Sequence, residues 1–339
     1  MRGRLLTASG LAVLAVFAGG IAGQGSQQAP GPIRVQVNEV VVPVTVTDQQ
    51  GRFVSNLTAN DFKIFDQGVE QKIAYFSAER NQPVVIGFLI EQSNTQRLHW
   101  KTFQSAAQDL VLALMPEDPR FSAYLIAYSN QPELLVNTTP DPSEIVEQIR
   151  KMKPGGGSAL FDAIYMACTN RQLVEGEPIE PRRVIVIIGD GHDNASSKTL
   201  NEVLELAQRN LVTIHAMSTV SFSFYAEEES NLLKLARETG GRVEYPLDNP
   251  YEDVSGYLSK PSDAGNYALT VGTGGYAAQI ARAIFNSIAA LQGEITTQYI
   301  LRYVPTSTDE PRIFRQLRVE VALPNVIVRH RKGYYPYAP

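Results

Sequence analysis

The sequence predicts an α/β protein. Its core is a doubly wound, mostly parallel sheet of Rossmann type, and a smaller β-sandwich-like module is built from both chain ends. Three observations carry this reading. Continuous apolar runs recur through the middle of the chain, as in PVVIGFLI, FSAYLIAYS and RRVIVIIGD. Runs of that kind suit strands buried on both faces of a parallel sheet. Helical periodicities separate them, and such alternation implies right-handed βαβ units with helices on both faces. At the two chain ends the pattern changes to period-2 alternation of β-branched residues, the mark of half-buried strands.

The elements follow in chain order. Residues 1–25 carry Arg2 and Arg4, a short apolar run from Leu5 to Ala18, and then small residues. That order predicts a cleaved secretory signal, and the run is shorter than the roughly 20 residues a spanning helix needs. Residues 26–80 are expected to form an N-terminal β module. After the linker QGSQQAPGP, Val35 and Val37 alternate with polar neighbours, as do Val42, Val44 and Val46. Pro43 suggests an edge strand or a bulge. Gln67-Gly68 reads as a hairpin turn.

Residues 81–295 are expected to form the α/β domain. Phe103, Ala106, Ala107, Leu110 and Leu114 recur at helical spacing. SEIVEQIRKM is a second helix capped by Asp141 or Ser143, and SALFDAIYMACTNRQL is a third. TLNEVLELAQRN, NLLKLARETGG and YAAQIARAIFNSIAALQG complete the helices, with Gly240 as a C-terminal cap. LVTIHAMS and RVEYP are strands. Residues 247–275 lack periodicity and read as a long loop insertion of the kind that is functional or disordered. Residues 296–339 return to strand chemistry and are expected to pack with the N-terminal module.

Composition narrows the function. Thirty Lys and Arg stand against 35 Asp and Glu, a net charge of −5. Removing the signal takes away two arginines and no acid, which leaves −7. An acidic chain without a basic stripe argues against nucleic-acid partners, since phosphate neutralisation needs clustered Lys and Arg. No run in the mature chain is apolar enough to be a transmembrane segment, so the expected location is periplasmic or secreted. Cys168 is the only cysteine, which excludes an internal disulfide. Its apolar helical setting points to a buried, inert thiol.

Ligands of open α/β sheets bind where loops leave the carboxyl ends of strands. Three such loops carry oxygen-bearing side chains: Glu91, Ser93 and Thr95 after PVVIGFLI, Ser158 after KPGGG, and Asp190 after RRVIVIIG. Hydroxyls and carboxylates are the ligands that hard divalent cations such as Mg2+ take. Each residue also has a local reading as a turn or helix cap. Asp162 is explained by its place in the first turn of a helix, and Asp193 by capping the helix after it. There is no GxSxG elbow, GxxxxGK[ST] loop or HExxH pair. Asp190, His192 and Ser196 are close in sequence, but that is not triad geometry, so an enzyme is not expected.

These loops resemble the metal-ion-dependent adhesion site of von Willebrand factor A (VWFA) domains, which has the form Asp-x-Ser-x-Ser, a Thr in a second loop and an Asp in a third. Ser93 and Thr95 match the two hydroxyls, Ser158 the Thr, and Asp190 the last Asp. Glu91 departs from the pattern, standing where the family has its first Asp. VVVPVTVTDQQGRFVSNLTANDFKIFDQGVEQKIAYF, LLKLARETGGRVEYP, QYILRYVP and the ending VRHRKGYY also resemble the VWFA-related proteins described from acidobacteria. The resemblance implies a bacterial, exported protein with a von Willebrand A-like core, and the convergence of the three loops points to a binding or adhesion module. Its partner would be a protein or glycan, held through Mg2+ (or Mn2+ or Ca2+) at Glu91, Ser93, Thr95, Ser158 and Asp190. The alternatives are a structural scaffold whose metal site stays empty and, further off, a hydrolase.

Overall fold

The computed structural model describes residues 39–78, 83–98, 100–170, 181–220, 231–246, 274–306 and 313–336. The expected signal sequence, the strand around Val35 and Val37, the tail of the third helix beyond Asn170 and the 247–273 part of the expected loop lie outside them. Gly274 and Gly275 open a helix instead.

The N-terminal strands are β1 (Val40–Asp48), β2 (Phe62–Asp66), β3 (Val69–Gln71) and β4 (Ile73–Ser77). The α/β portion runs β5 (Val84–Glu91), α1 (Trp100–Leu114), β6 (Phe121–Tyr128), β7 (Pro132–Thr139), α2 (Pro142–Lys151), α3 (Leu160–Thr169) and β8 (Arg182–Gly189). It continues through α4 (Leu200–Arg209), β9 (Val212–Ser218), α5 (Asn231–Thr239), β10 (Val243–Glu244) and α6 (Gly274–Thr296). The chain ends with β11 (Tyr299–Tyr303), β12 (Arg315–Val321), β13 (Val326–His330) and β14 (Gly333–Tyr334).

The central sheet has the order β10-β9-β8-β5-β6-β7. All its pairings are parallel except β6 with β7. Every residue of β5 is buried, as a strand covered on both faces requires. On one face α1, α2 and α6 pack through Phe103, Leu110, Ile145, Ile149, Ile288 and Leu291. On the other, α3, α4 and α5 pack through Leu160, Ile164, Val203 and Leu235. Each fully buried aliphatic side chain is worth roughly 1.5–3 kcal/mol, so the two clusters supply most of the driving force. The fold class is therefore the doubly wound one the sequence predicts.

Local chemistry sets the helix ends. Asp141 caps α2 by accepting from the Ser143 amide at 2.8 Å. Thr199 and Glu202 form a reciprocal capping box on α4. Gly240 closes α5 at φ +84°, a conformation an L side chain resists. The sequence reading missed β7, an edge strand whose polar residues and leading Pro132 break any alternation.

The second layer comprises two antiparallel sheets, β13-β1-β11-β4 and β14-β12-β2-β3, drawn from both chain ends. Val42, Val44, Ile64, Tyr299, Leu301 and Leu317 fill the space between them. Asp66 is buried there, accepting from Tyr303 Oη at 2.8 Å, Arg315 Nε at 2.9 Å and Tyr334 Oη at 3.0 Å. Pro43 does not mark an edge strand, because β1 lies between β13 and β11. It falls in the stretch where β1 pairs with β11 alone, since pairing with β13 begins at Val44. Among the described residues no helix is long and apolar enough to cross a membrane.

Candidate functional site

The sheet order reverses at β5. The chain proceeds from β5 to β6 and β7 on one side, then returns to β8, β9 and β10 on the other. The crevice outside the carboxyl ends of β5 and β8 is therefore the topological switch point, where such sheets leave space for a ligand. Glu91 is the last residue of β5, and Asp190 directly follows β8.

Hydrogen bonds join the loops at this point. The hydroxyls of Ser93 and Thr95 are 2.6 Å apart. Thr95 Oγ1 donates to Asp190 Oδ2 at 2.6 Å, across 95 residues of sequence. The Asp190 backbone N–H donates to Glu91 Oε2 at 2.8 Å. Asp190 Oδ1 accepts from the His192 amide at 2.9 Å. Ser158 is buried, and its hydroxyl donates to the His192 carbonyl at 2.8 Å. Ser158 is thus not a helix cap: Ala159 occupies that position on α3.

Neighbouring side chains hold the loops in place. Asn130 accepts from the Gly157 amide at 2.7 Å, and Asn194 from the Ser158 amide at 2.9 Å. Asp193 does not cap the helix after it. Its carboxylate accepts from Phe161 N at 2.8 Å in the first turn of α3 and from Ser196 Oγ at 2.6 Å. Asp162 does more than complement a helix dipole, since it accepts from the Ser197 and Lys198 amides at 3.0 Å each. The Asp190–His192–Ser196 grouping has no catalytic relay, because Ser196 Oγ is committed to Asp193.

Glu91 dominates the electrostatics. It is 2% exposed. Burial, reinforced by the negative charge of Asp190, pushes its carboxyl up to about 7, and nearby hydroxyls and the Asp190 amide only partly offset this. Burial also raises the Tyr128 hydroxyl well above its ordinary range, with the Glu91 charge adding to the effect. These groups converge over Gly189. A methyl group placed there would lie 2.4 Å from Tyr128 Oη and 2.6 Å from Glu91 Oε2. Only glycine leaves room for the longer acid and the phenol together.

Sequence reasoning did not find Tyr128, Gln96, Asn130 or Asn194. Tyr128 ends β6, so its signal emerges only once β6 is known to neighbour β5. Gln96 directly follows Thr95 and is 5% exposed, which polar composition alone does not reveal. Elsewhere, burial pushes the half-buried Cys168 thiol up to about 12, consistent with an inert role.

The donor set suits a hard divalent cation in its chemistry: three hydroxyls and two carboxylates, with no sulfur or imidazole among them. Glu91 Oε1 is buried without a hydrogen-bond partner among the described residues, which is the state of an oxygen available to an ion.

Comparison with known proteins agrees with this architecture. Residues 88–192 match the family model described as the von Willebrand factor type A domain. That stretch begins in β5 and ends just past Asp190, within the α/β portion of the chain. No curated protein matches the chain. Among solved structures, the chain is similar to the vWF domain of the type V pili tip protein Mfa5 from Porphyromonas gingivalis, at 21% identity and TM-score 0.29, covering 32% of this chain and 38% of that one. It is similar to the conserved hypothetical protein BatB from Bacteroides thetaiotaomicron at 14% identity and TM-score 0.39, covering 59% of this chain and 99% of that one. It is also similar to proximal thread matrix protein 1 from the mussel byssus, solved with a zinc-occupied MIDAS motif, at 16% identity and TM-score 0.41, covering 50% of this chain and 43% of that one. The chain thus spans well under two thirds of the pilus-tip structure.

Proposed function

We propose that this protein is an exported binding or adhesion module. It engages a protein or glycan partner through a divalent cation held by Glu91, Ser93, Thr95, Ser158 and Asp190. The observation that carries this reading is the convergence of three loops at the switch point, where Thr95 donates to Asp190 and Asp190 to Glu91. When bound, Mg2+ or Mn2+ supplies Lewis acidity toward an acidic group of the partner. The chain's own part is to present hydroxyl and carboxylate oxygens, fix Glu91 through the Asp190 amide, and exclude water beneath them. The reading is of a binding module: Ser196 Oγ is committed to Asp193, and Ser158 Oγ to the His192 carbonyl.

Affinity capture with the exported chain tests this. A partner retained in millimolar Mg2+ and lost both in chelator and in Asp190→Ala is the expected result. Retention that ignores both perturbations would reject the cation-dependent reading in favour of a scaffold that binds through another surface.

A further inference from the structure

Gln96 lies in the short 3-10 turn Asn94–Leu98 and is almost fully buried. Its Nε2 lies 3.1 Å from Glu91 Oε2, 3.3 Å from Thr95 Oγ1 and 3.4 Å from Asp190 Oδ2. This company fixes which end of the amide faces inward. The Thr95 hydroxyl hydrogen is already given to Asp190, so all three neighbours present lone pairs. A carbonyl oxygen placed there would meet only acceptors, whereas an NH2 group meets partners for both its hydrogens.

The two carboxylates reached by this nitrogen come from different loops and repel each other in a buried setting. Both already accept other hydrogen bonds, Glu91 from the Asp190 amide and Asp190 from Thr95 and the His192 amide. The amide nitrogen therefore puts partial positive charge at the one point shared by both acids and the Thr95 hydroxyl. That is the electrostatic position of a bound cation.

We infer that Gln96 is a built-in placeholder for the ion. Its amide bridges Glu91 and Asp190 in the ion-free protein and withdraws when a cation enters. By linkage, whatever stabilises the ion-free state lowers cation affinity. Gln96 thus sets the affinity threshold of the site and lets the domain stay folded without metal. The inference rests on the cation-binding reading above.

The test compares the full chain with Gln96→Met, which keeps side-chain length and volume but has no N–H donor, and with Gln96→Ala. The expected result is that both variants bind Mn2+ more tightly by calorimetry, on the order of tenfold, as expected from losing one hydrogen bond to a charged group. In chelator both should unfold at lower temperature than the natural chain. Mn2+ binding by a variant alone would also support the placeholder. Binding by the natural chain with equal or weaker binding by both variants would overturn it while leaving the cation site intact. Binding by none of the three at millimolar Mn2+ would overturn both readings.

Discussion

Replacing Glu91 with Gln removes a buried charge and keeps the acceptor for the Asp190 amide. Its effect follows from the carboxyl's shift from 4.5 to about 7. An acid whose folded value lies above its unfolded value costs stability as pH rises past the unfolded value, and the cost is complete above the folded one. The window is therefore about pH 4.5 to 7. At 1.36 kcal/mol per unit, the full cost is about 3 kcal/mol. Glu91→Gln should therefore stabilise the ion-free protein by about 3 kcal/mol at pH 8 and by almost nothing at pH 4.5. A gain of that size raises the unfolding temperature by roughly 6 °C in a domain of this length. The assay is thermal unfolding of both proteins in chelator across pH 4.5 to 8. In Mn2+ the order should reverse, because only the natural chain has a full charge to offer the ion. A difference that does not grow with pH, or a variant less stable at pH 8, would refute the argument that Glu91 is held against its own burial.

Gly189→Ala would drive a methyl into Tyr128 and Glu91. It should cost about 1–3 kcal/mol in denaturant unfolding and weaken Mn2+ binding by displacing Glu91. His215 and His330 are buried, and burial depresses them to about 3 and about 4 respectively. Both stay neutral in the fold while the unfolded chain takes up protons below about pH 6.5. Stability should therefore fall from pH 6.5 to pH 5 by roughly 1.5 kcal/mol per histidine. Measuring this in the Glu91→Gln background removes the opposing trend of Glu91. Glu294 on α6 is 2% exposed and accepts from Arg329 Nη1 at 2.7 Å and Arg242 Nη1 at 3.3 Å. Glu294→Ala leaves two half-buried guanidinium groups facing each other and should cost about 3 kcal/mol, read as a lowered denaturant midpoint with unchanged slope.

The sequence makes the doubly wound class legible because β5, β6 and β8 are uninterrupted apolar runs and the helices between them keep strict periodicity. Strand order is not a local property, so the reversal between β5 and β8 could not be read from the pattern. β7 escaped because an antiparallel edge strand is half-solvated and keeps no clean alternation. The candidate oxygens stood out because their loops follow recognisable strands. What stayed hidden is how those oxygens are satisfied. Asp193 looked forward in sequence to α4 yet reaches back to α3, because the chain between β8 and α4 folds over the start of α3. Tyr128 and Gln96 emerged only from packing: one reaches the site across the sheet, and the other through a turn whose residues carry no periodic signal.

Counting bound Mn2+ by electron paramagnetic resonance, in the natural chain and in Asp190→Ala at neutral pH, probes the site most directly. The account predicts a single saturable ion per chain that Asp190→Ala abolishes. An absence of bound ion at millimolar Mn2+, or occupancy indifferent to Asp190, would contradict it.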